Sequence, residues 1–256
     1  MYDIAGRRAL VTGAGLGIGR SIALRLAAEG VHLALFDINE ASLAQAVDEV
    51  RSAGVEAIGH VVDVSDAAAV NAAAAKAESI LGGFDYLVNN AGISHRNSFL
   101  EADEEHFGKV MGVNVWGVFN CTKAVIPHML RAGKGSIVNI SSWAGKTALP
   151  HYFAYCTSKF AVIGMTQSMA VDLGQHGIRV NAVCPGIIMN TPTRELAEAE
   201  ARERGLPSAS ERAKTVPMRR LGQPEDIANC VAFLLSDQAD YLTGQSINAT
   251  GGMWTN

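Results

Sequence analysis

A chain of 256 residues, 48% of them apolar, can bury one sizeable core. Its net charge of −4 gives no basic footprint for nucleic acid, and no run approaches the roughly 18 apolar residues that a membrane span needs. The first residues lack the basic-then-apolar form of a signal peptide, and Cys121, Cys156, Cys184 and Cys230 are scattered without a CxxC pair. These features predict a reduced, cytoplasmic protein with no metal site.

Strand-length apolar runs alternate with helix-length segments. "RALVT" (8–12) leads directly into "TGAGLGIGR" (12–20), and a helical pattern covers 17–29. Gly13, Gly17 and Gly19 allow a tight turn and a close approach of backbone to a ligand. The helix start then offers free N–H groups and a positive dipole end to a pyrophosphate. "VHLALF" (31–36) runs into Asp37, whose carboxylate can accept hydrogen bonds from ribose hydroxyls and would repel a 2′-phosphate. No Arg or Lys occupies 14–16, and Arg20 starts a helix, so NAD is favoured over NADP. Asp37 could instead cap the next turn.

A helix is predicted over 40–53 and a strand over 57–62. Asp63 follows, placed either to hold the adenine edge or to cap a helix over 66–81. "YLVNN" (86–90) is the next strand, and a long helical pattern over 103–131 contains Asn114. "SIVNIS" (136–141) precedes Ser142. A helix over 152–175 carries Tyr152, Tyr155 and Lys159, and "RVNAVC" (179–184) precedes Pro185 and Gly186. From 187 to 220 no strand appears and charges crowd in. This segment reads either as solvated surface helices or as a mobile lid over a ligand at the strand ends. A helix over 225–236 and "SINAT" (246–250) complete the pattern. The alternation predicts an α/β fold: a Rossmann-type, doubly wound parallel sheet of about seven strands flanked by helices, in one domain covering 1–256.

At 1.5 Å rise per residue, Tyr155 lies roughly 6 Å along a helix from Lys159, and Tyr152 over 10 Å. A Lys159 ammonium close to Tyr155 favours the phenolate and predicts a lowered pKa, making Tyr155 the better base. Taken singly, Ser142 could merely cap a turn, Lys159 could be solvated and Asn114 could satisfy a neighbouring backbone.

"TGAGLGIG", "NNAG" (89–92), Ser142 with Tyr155-x-x-x-Lys159, and "PG" (185–186) together resemble the classical short-chain dehydrogenases/reductases, in order and spacing, from Arg8 to Gly252. The resemblance implies that Tyr155 is the acid–base, that Ser142 bonds the substrate oxygen and that Lys159 bonds the nicotinamide ribose. Asn114 would hold a water linking Lys159 to solvent. Asn89 and Asn90 would brace the sheet. Gly13, Gly17, Ile18 and Gly19, then Asp37, Asp63 and Val64, then Asn90, Ala91 and Gly92 would line the cofactor channel with Tyr155 and Lys159. Pro185, Gly186 and Ile188 would complete it. The threonine expected five residues after the proline of "PG" is displaced, so this contact lies open between Asn190 and Thr191.

For substrate, the positions near the reacting end are Ser94, His95, Ser142, Trp143, His151 and Tyr155, with Tyr152 shaping the pocket or a subunit contact. Hydroxyls and imidazoles there point to a polyol, sugar or hydroxyketone. The expectation is therefore an NAD-dependent oxidoreductase of a secondary alcohol or ketone, forming a homotetramer in which Trp254 could reach a neighbouring subunit. The alternatives are a 3-oxoacyl-carrier-protein reductase and a non-catalytic nucleotide-binding regulator.

Overall fold

Short runs of Val, Ile, Leu and Ala become the strands of one parallel sheet. The computed structural model describes residues 2–94, 96–203 and 207–256, with nothing described for the side chains of 193, 197, 200 and 201. The strands are β1 (Arg8–Thr12), β2 (His32–Asp37), β3 (Ala57–Val61), β4 (Tyr86–Asn89), β5 (Gly135–Ile140), β6 (Ile178–Pro185) and β7 (Ser246–Ala249). They lie in the order 3-2-1-4-5-6-7, and every neighbouring pair is parallel.

Alternation along each strand splits the core into two layers. Ala9, Val11, Leu33 and Leu35 pack on one face, against α1 (Gly17–Ala28), α2 (Glu40–Ser52) and α9 (Pro224–Leu235). Leu10, Ala34, Phe36 and Leu87 pack on the other, against α3 (Ala67–Leu81), α5 (Gly117–Ala132) and α6 (Phe153–Leu173). Asp66 caps α3 by accepting from Ala68 N at 2.8 Å and Ala69 N at 3.1 Å. Among the described residues no helix is long and apolar enough to cross a membrane.

The pattern over 103–131 is not one continuous α-helix. It divides into α4 (Glu104–Met111), a π-helical turn (Gly112–Trp116) and α5. Asn114 sits at the centre of the wide turn, fully buried. Its Oδ1 accepts from Ile93 N at 2.8 Å, and its Nδ2 donates to Ile93 O and Ser158 Oγ, each at 2.9 Å. The widened turn accompanies a side chain whose bonds all go to a loop and a neighbouring helix. The apolar pattern runs through it unbroken, so periodicity alone could not reveal it.

The strandless stretch holds two short helices, α7 (Pro192–Glu203) and α8 (Ala209–Thr215). A bridge between Ile188 and Gly222 closes its base, and Glu198 on α7 pairs with Arg212 on α8. Residues 204–206 of the predicted segment lie outside the described residues.

The strand order reverses between β1 and β4, and a crevice opens there at the carboxyl ends of the strands. Its floor depends on Gly19. A Cβ at that position would lie 1.9 Å from Gly13 O and 2.5 Å from Asn90 Nδ2. Gly19→Ala should therefore cost about 1–3 kcal/mol or more through overpacking. Gly174→Ala, at helical backbone with nothing within 4 Å of the added carbon, should change stability by no more than about 1 kcal/mol. Urea denaturation of the two variants makes the comparison, and equal midpoints would contradict it.

Candidate active site

The crevice is a cleft of about 640 Å³. From the first strand–helix unit it takes Gly13, Gly17 and Ile18, and from the ends of β2 and β3 it takes Asp37, Asp63 and Val64. After β4 come Asn90, Ala91, Gly92 and Ser94; Ser142, Tyr155 and Lys159 follow; Pro185, Gly186, Ile188 and Thr191 close the other wall. Gly19 lies behind this lining, packed on Gly13.

The glycine loop is held by the strand beside it. The Thr12 hydroxyl accepts from Asn90 N and Ala91 N, each at 3.0 Å. Asn90 Nδ2 donates back to Thr12 O and Gly13 O at 3.0 Å. Deeper in the sheet, Asn89 Nδ2 donates to Asn139 Oδ1 at 2.9 Å, and Asn139 Nδ2 donates to Thr166 Oγ1 at 2.9 Å. This buried relay joins β4 and β5 to α6. Both asparagines of "NNAG" thus brace the fold.

Asp37 turns one carboxylate oxygen to Gly15 N at 2.8 Å and the other to Asn39 N at 2.9 Å. It therefore stabilises the turn as well as facing the cleft. Arg20 is tied to Glu49 through Nε–Oε2 at 2.7 Å, so it brings no positive charge to Asp37. Asp63 accepts from Ser65 N at 2.9 Å and Ser65 Oγ at 2.7 Å, while Asp66 caps α3. The capping alternative for Asp63 is thus not what forms. These residues fit a dinucleotide. At 13 a Cβ would approach Ala91 Cα to 2.9 Å, so bare backbone forms the cradle, with a carboxylate at one end.

At the other end Ser142 leaves β5, and Tyr155 lies in the first turns of α6. The Ser142 hydroxyl accepts from Ala144 N at 3.1 Å and stands close enough to the Tyr155 phenol to favour its ionised form. Lys159 Nζ lies 5.7 Å from the Tyr155 ring centroid and donates to Ile140 O at 2.9 Å. A Cβ at Gly92 would stand 3.3 Å from Asn114 Oδ1 and 3.4 Å from Lys159 Nζ. Asn114 therefore sits behind the cleft wall, adjacent to Lys159.

A family model described as "Enoyl-(Acyl carrier protein) reductase" matches residues 13–254. The chain belongs to the short-chain dehydrogenase/reductase family. It is 43% identical over 249 residues to the 3-oxoacyl-[acyl-carrier-protein] reductase FabG of Staphylococcus aureus (strain Mu50), covering 97% of this chain and 98% of that protein. Among solved structures, an NAD+-bound xylitol dehydrogenase is 37% identical with a TM-score of 0.93, covering 98% of this chain and all of that one. A carveol dehydrogenase from Mycobacterium avium in complex with NAD is 31% identical, also with a TM-score of 0.93, and covers 99% of both chains. The Rossmann-type fold and oxidoreductase class follow from this membership.

The expected substrate-side residues of this short-chain dehydrogenase/reductase take different positions. Trp143 does not line the cleft; it packs on Trp254 of the same chain, with ring centroids 6.5 Å apart. Trp254 is thus engaged within its own subunit. His151 is exposed at φ 63°, before α6 begins, and also lies off the cleft. His95 lies outside the described residues. Tyr152 precedes the first helical residue, edge-on to Tyr155 at 6.2 Å and under the Arg96 guanidinium at 5.6 Å. Asn190 adopts φ 55° and donates to Gln223 Oε1 at 2.8 Å, whereas Thr191 faces the cleft. The displaced threonine is therefore the residue at the cleft wall.

Reading the sequence missed Leu16, Ile93, Lys109 and Arg194, all at the wall. Arg194 lies in a charged run that also reads as plain surface helix, so nothing in its local pattern marks it.

The electrostatics also correct an expectation. Tyr155 is pushed up from its ordinary value by desolvation, and the Ser142 hydroxyl opposes this without overcoming it. Burial pushes Lys159 down to about 8. The ammonium is itself desolvated and aimed at a backbone carbonyl, so the lysine does not lower the phenol as the helical spacing suggested. A pH effect on stability follows. Above about pH 8 folded Lys159 releases its proton, while the unfolded chain holds it to about 10.5. The unfolded state then binds more protons, so stability from this group rises with pH. Wild-type stability relative to Lys159→Met should increase between pH 7 and pH 9.5 in denaturant titrations; a constant gap would contradict the burial argument.

Proposed function

We propose that the protein is an NAD-dependent dehydrogenase that interconverts a secondary alcohol of the polyol, sugar or hydroxyketone type and its ketone. The observation that carries this reading is the convergence of Ser142, Tyr155 and Lys159 at one end of a cleft whose other end is Asp37. When bound, the oxidised nicotinamide supplies the hydride acceptor, taking the electron pair of the carbinol C–H bond, and a positive charge beside the phenol. Tyr155 takes the hydroxyl proton as the C=O bond forms. Ser142 donates to the same oxygen and steadies the developing alkoxide. Lys159 bonds the ribose, and Asn114 holds the Ile93 loop and α6 in register behind it. Gly13, Gly17, Ile18, Asp63, Val64, Asn90, Ala91, Gly92, Pro185, Gly186, Ile188 and Thr191 hold the rest of the cofactor.

NAD over NADP is supported by the Asp37 carboxylate and by the engagement of Arg20 with Glu49. Two structural relatives, the xylitol dehydrogenase and the carveol dehydrogenase, are NAD-bound. The polyol reading is supported by the Ser94 hydroxyl at the reacting end and by the xylitol dehydrogenase relative. α7 and α8 act as a lid, since α7 brings Pro192 and Arg194 to the cleft. Outward-facing Trp116, Phe119, Phe160 and Val171 on the α5 and α6 side support a homotetramer. A second reading, 3-oxoacyl-carrier-protein reduction, is favoured by the 43% identical relative of that name. The complete Ser142–Tyr155–Lys159 set counts against a regulator without turnover.

The deciding assay offers polyols, simple secondary alcohols and a 3-oxoacyl thioester with each cofactor, following absorbance of the reduced nicotinamide. NAD-linked oxidation of alcohols supports the proposal; NADPH-linked reduction of the thioester alone would replace it with the second reading. Tyr155→Phe should lower kcat by roughly 10²- to 10⁴-fold while NAD affinity, measured by calorimetry, stays close to wild type. Retention of most of the rate would refute the role of Tyr155. Asp37→Ala should shift preference toward NADP, and a wild-type enzyme that already prefers NADP would refute the part given to Asp37.

A further inference from the structure

We infer that the substrate carries an oxyanion, a carboxylate or a phosphate ester, and that Arg194 on α7 binds it at the reacting end of the cleft. This rests on the dehydrogenase reading above and narrows its substrate class.

Arg194 lines the same cleft as Ser94, Ser142 and Tyr155. Its charge is felt at the phenols of both Tyr155 and Tyr152, which places it near the reacting end of that cleft. Its side chain is only 24% exposed. Among the described residues its one ion-pair partner is Glu198, at 3.5 Å. That carboxylate is already the acceptor of Arg212. Among the described side chains, two guanidinium groups therefore share one carboxylate. Nε of Arg194 and Nε of Arg212 are both buried without a hydrogen-bond partner.

Burying a guanidinium with a donor unused is costly. A cation held half-dry at a cleft wall, with spare donors, matches an incoming anion. The planar fork of arginine fits carboxylate and phosphate oxygens two at a time. A neutral polyol would bring no such charge. A hydroxy acid or a phosphorylated polyol would pair with Arg194 as it seats the carbinol carbon beside Tyr155.

The test compares wild type, Arg194→Gln and Arg194→Lys at saturating NAD. Two substrate pairs are used: short hydroxy acids against their methyl esters, and phosphorylated polyols against the free polyols. In wild type, kcat/KM should favour the anionic member of at least one pair. Which pair shows the preference separates carboxylate from phosphate. Arg194→Gln should reduce that anionic-to-neutral ratio roughly ten- to hundredfold, and Arg194→Lys should retain part of it. As a readout independent of turnover, malonate or inorganic phosphate should raise the melting temperature of the NAD-saturated wild type and not that of Arg194→Gln. Neutral alcohols turned over as well as their anionic partners, or an equal ratio in wild type and Arg194→Gln, would overturn the inference and leave the dehydrogenase standing. Turnover of neither member of any pair would overturn both.

Discussion

The carbonyl of Gly13 is where the two halves of the sheet are joined at the cleft. It accepts a hydrogen bond from Asn90 Nδ2 and lies against the bare Cα of Gly19. A side chain at 19 would push α1 off the loop, and loss of the Asn90 amide would free the loop from β4. Because β1 and β4 lie on either side of the reversal in strand order, this contact holds the nucleotide end and the reacting end of the cleft in register. Thr12 adds to the lock with a single hydroxyl that serves two backbone N–H groups.

The reacting end is held by similar means but with a different electrostatic outcome. Asn114 fills a π-helical turn and bonds to the Ile93 backbone and to Ser158, one residue before Lys159. Ser141 Oγ donates to Lys159 O, and Lys159 Nζ donates to Ile140 O. This framework buries the lysine, and burial lowers its pKa to about 8. The protein itself therefore leaves Tyr155 protonated. Desolvation outweighs the pairwise attraction inferred from helical spacing.

Another wall of the same cleft is charged. α7 and α8 carry Arg194, Glu198 and Arg212 as a triad with one acid between two bases. The segment is thus more than a polar cover. It brings a guanidinium, that of Arg194, to the wall of the cleft. Tyr152, edge-on to Tyr155 and beneath Arg96, fills the space between these groups.

The seven strands, the glycine loop, Asp37 and the spacing of Ser142, Tyr155 and Lys159 were legible in the sequence. Each is a local signal: a run of branched apolar residues, a glycine where backbone must pass close, or a fixed interval along one helix. The π turn at Asn114 was hidden because an apolar repeat does not register one wide turn. Thr191 rather than Asn190 faces the cleft because Asn190 takes a left-handed turn and bonds Gln223, and such a contact between segments leaves no mark on the spacing. Trp143 and His151 read as pocket residues from chain proximity alone, yet one packs on Trp254 and the other is exposed before α6 begins. The sequence by itself determined the sheet, the glycine loop and the spacing of Ser142, Tyr155 and Lys159, because period and glycine placement act over a few residues. Only the tertiary structure decided the ionisation of Tyr155 and Lys159 and the place of Arg194, because burial and charge balance depend on segments far apart in the chain.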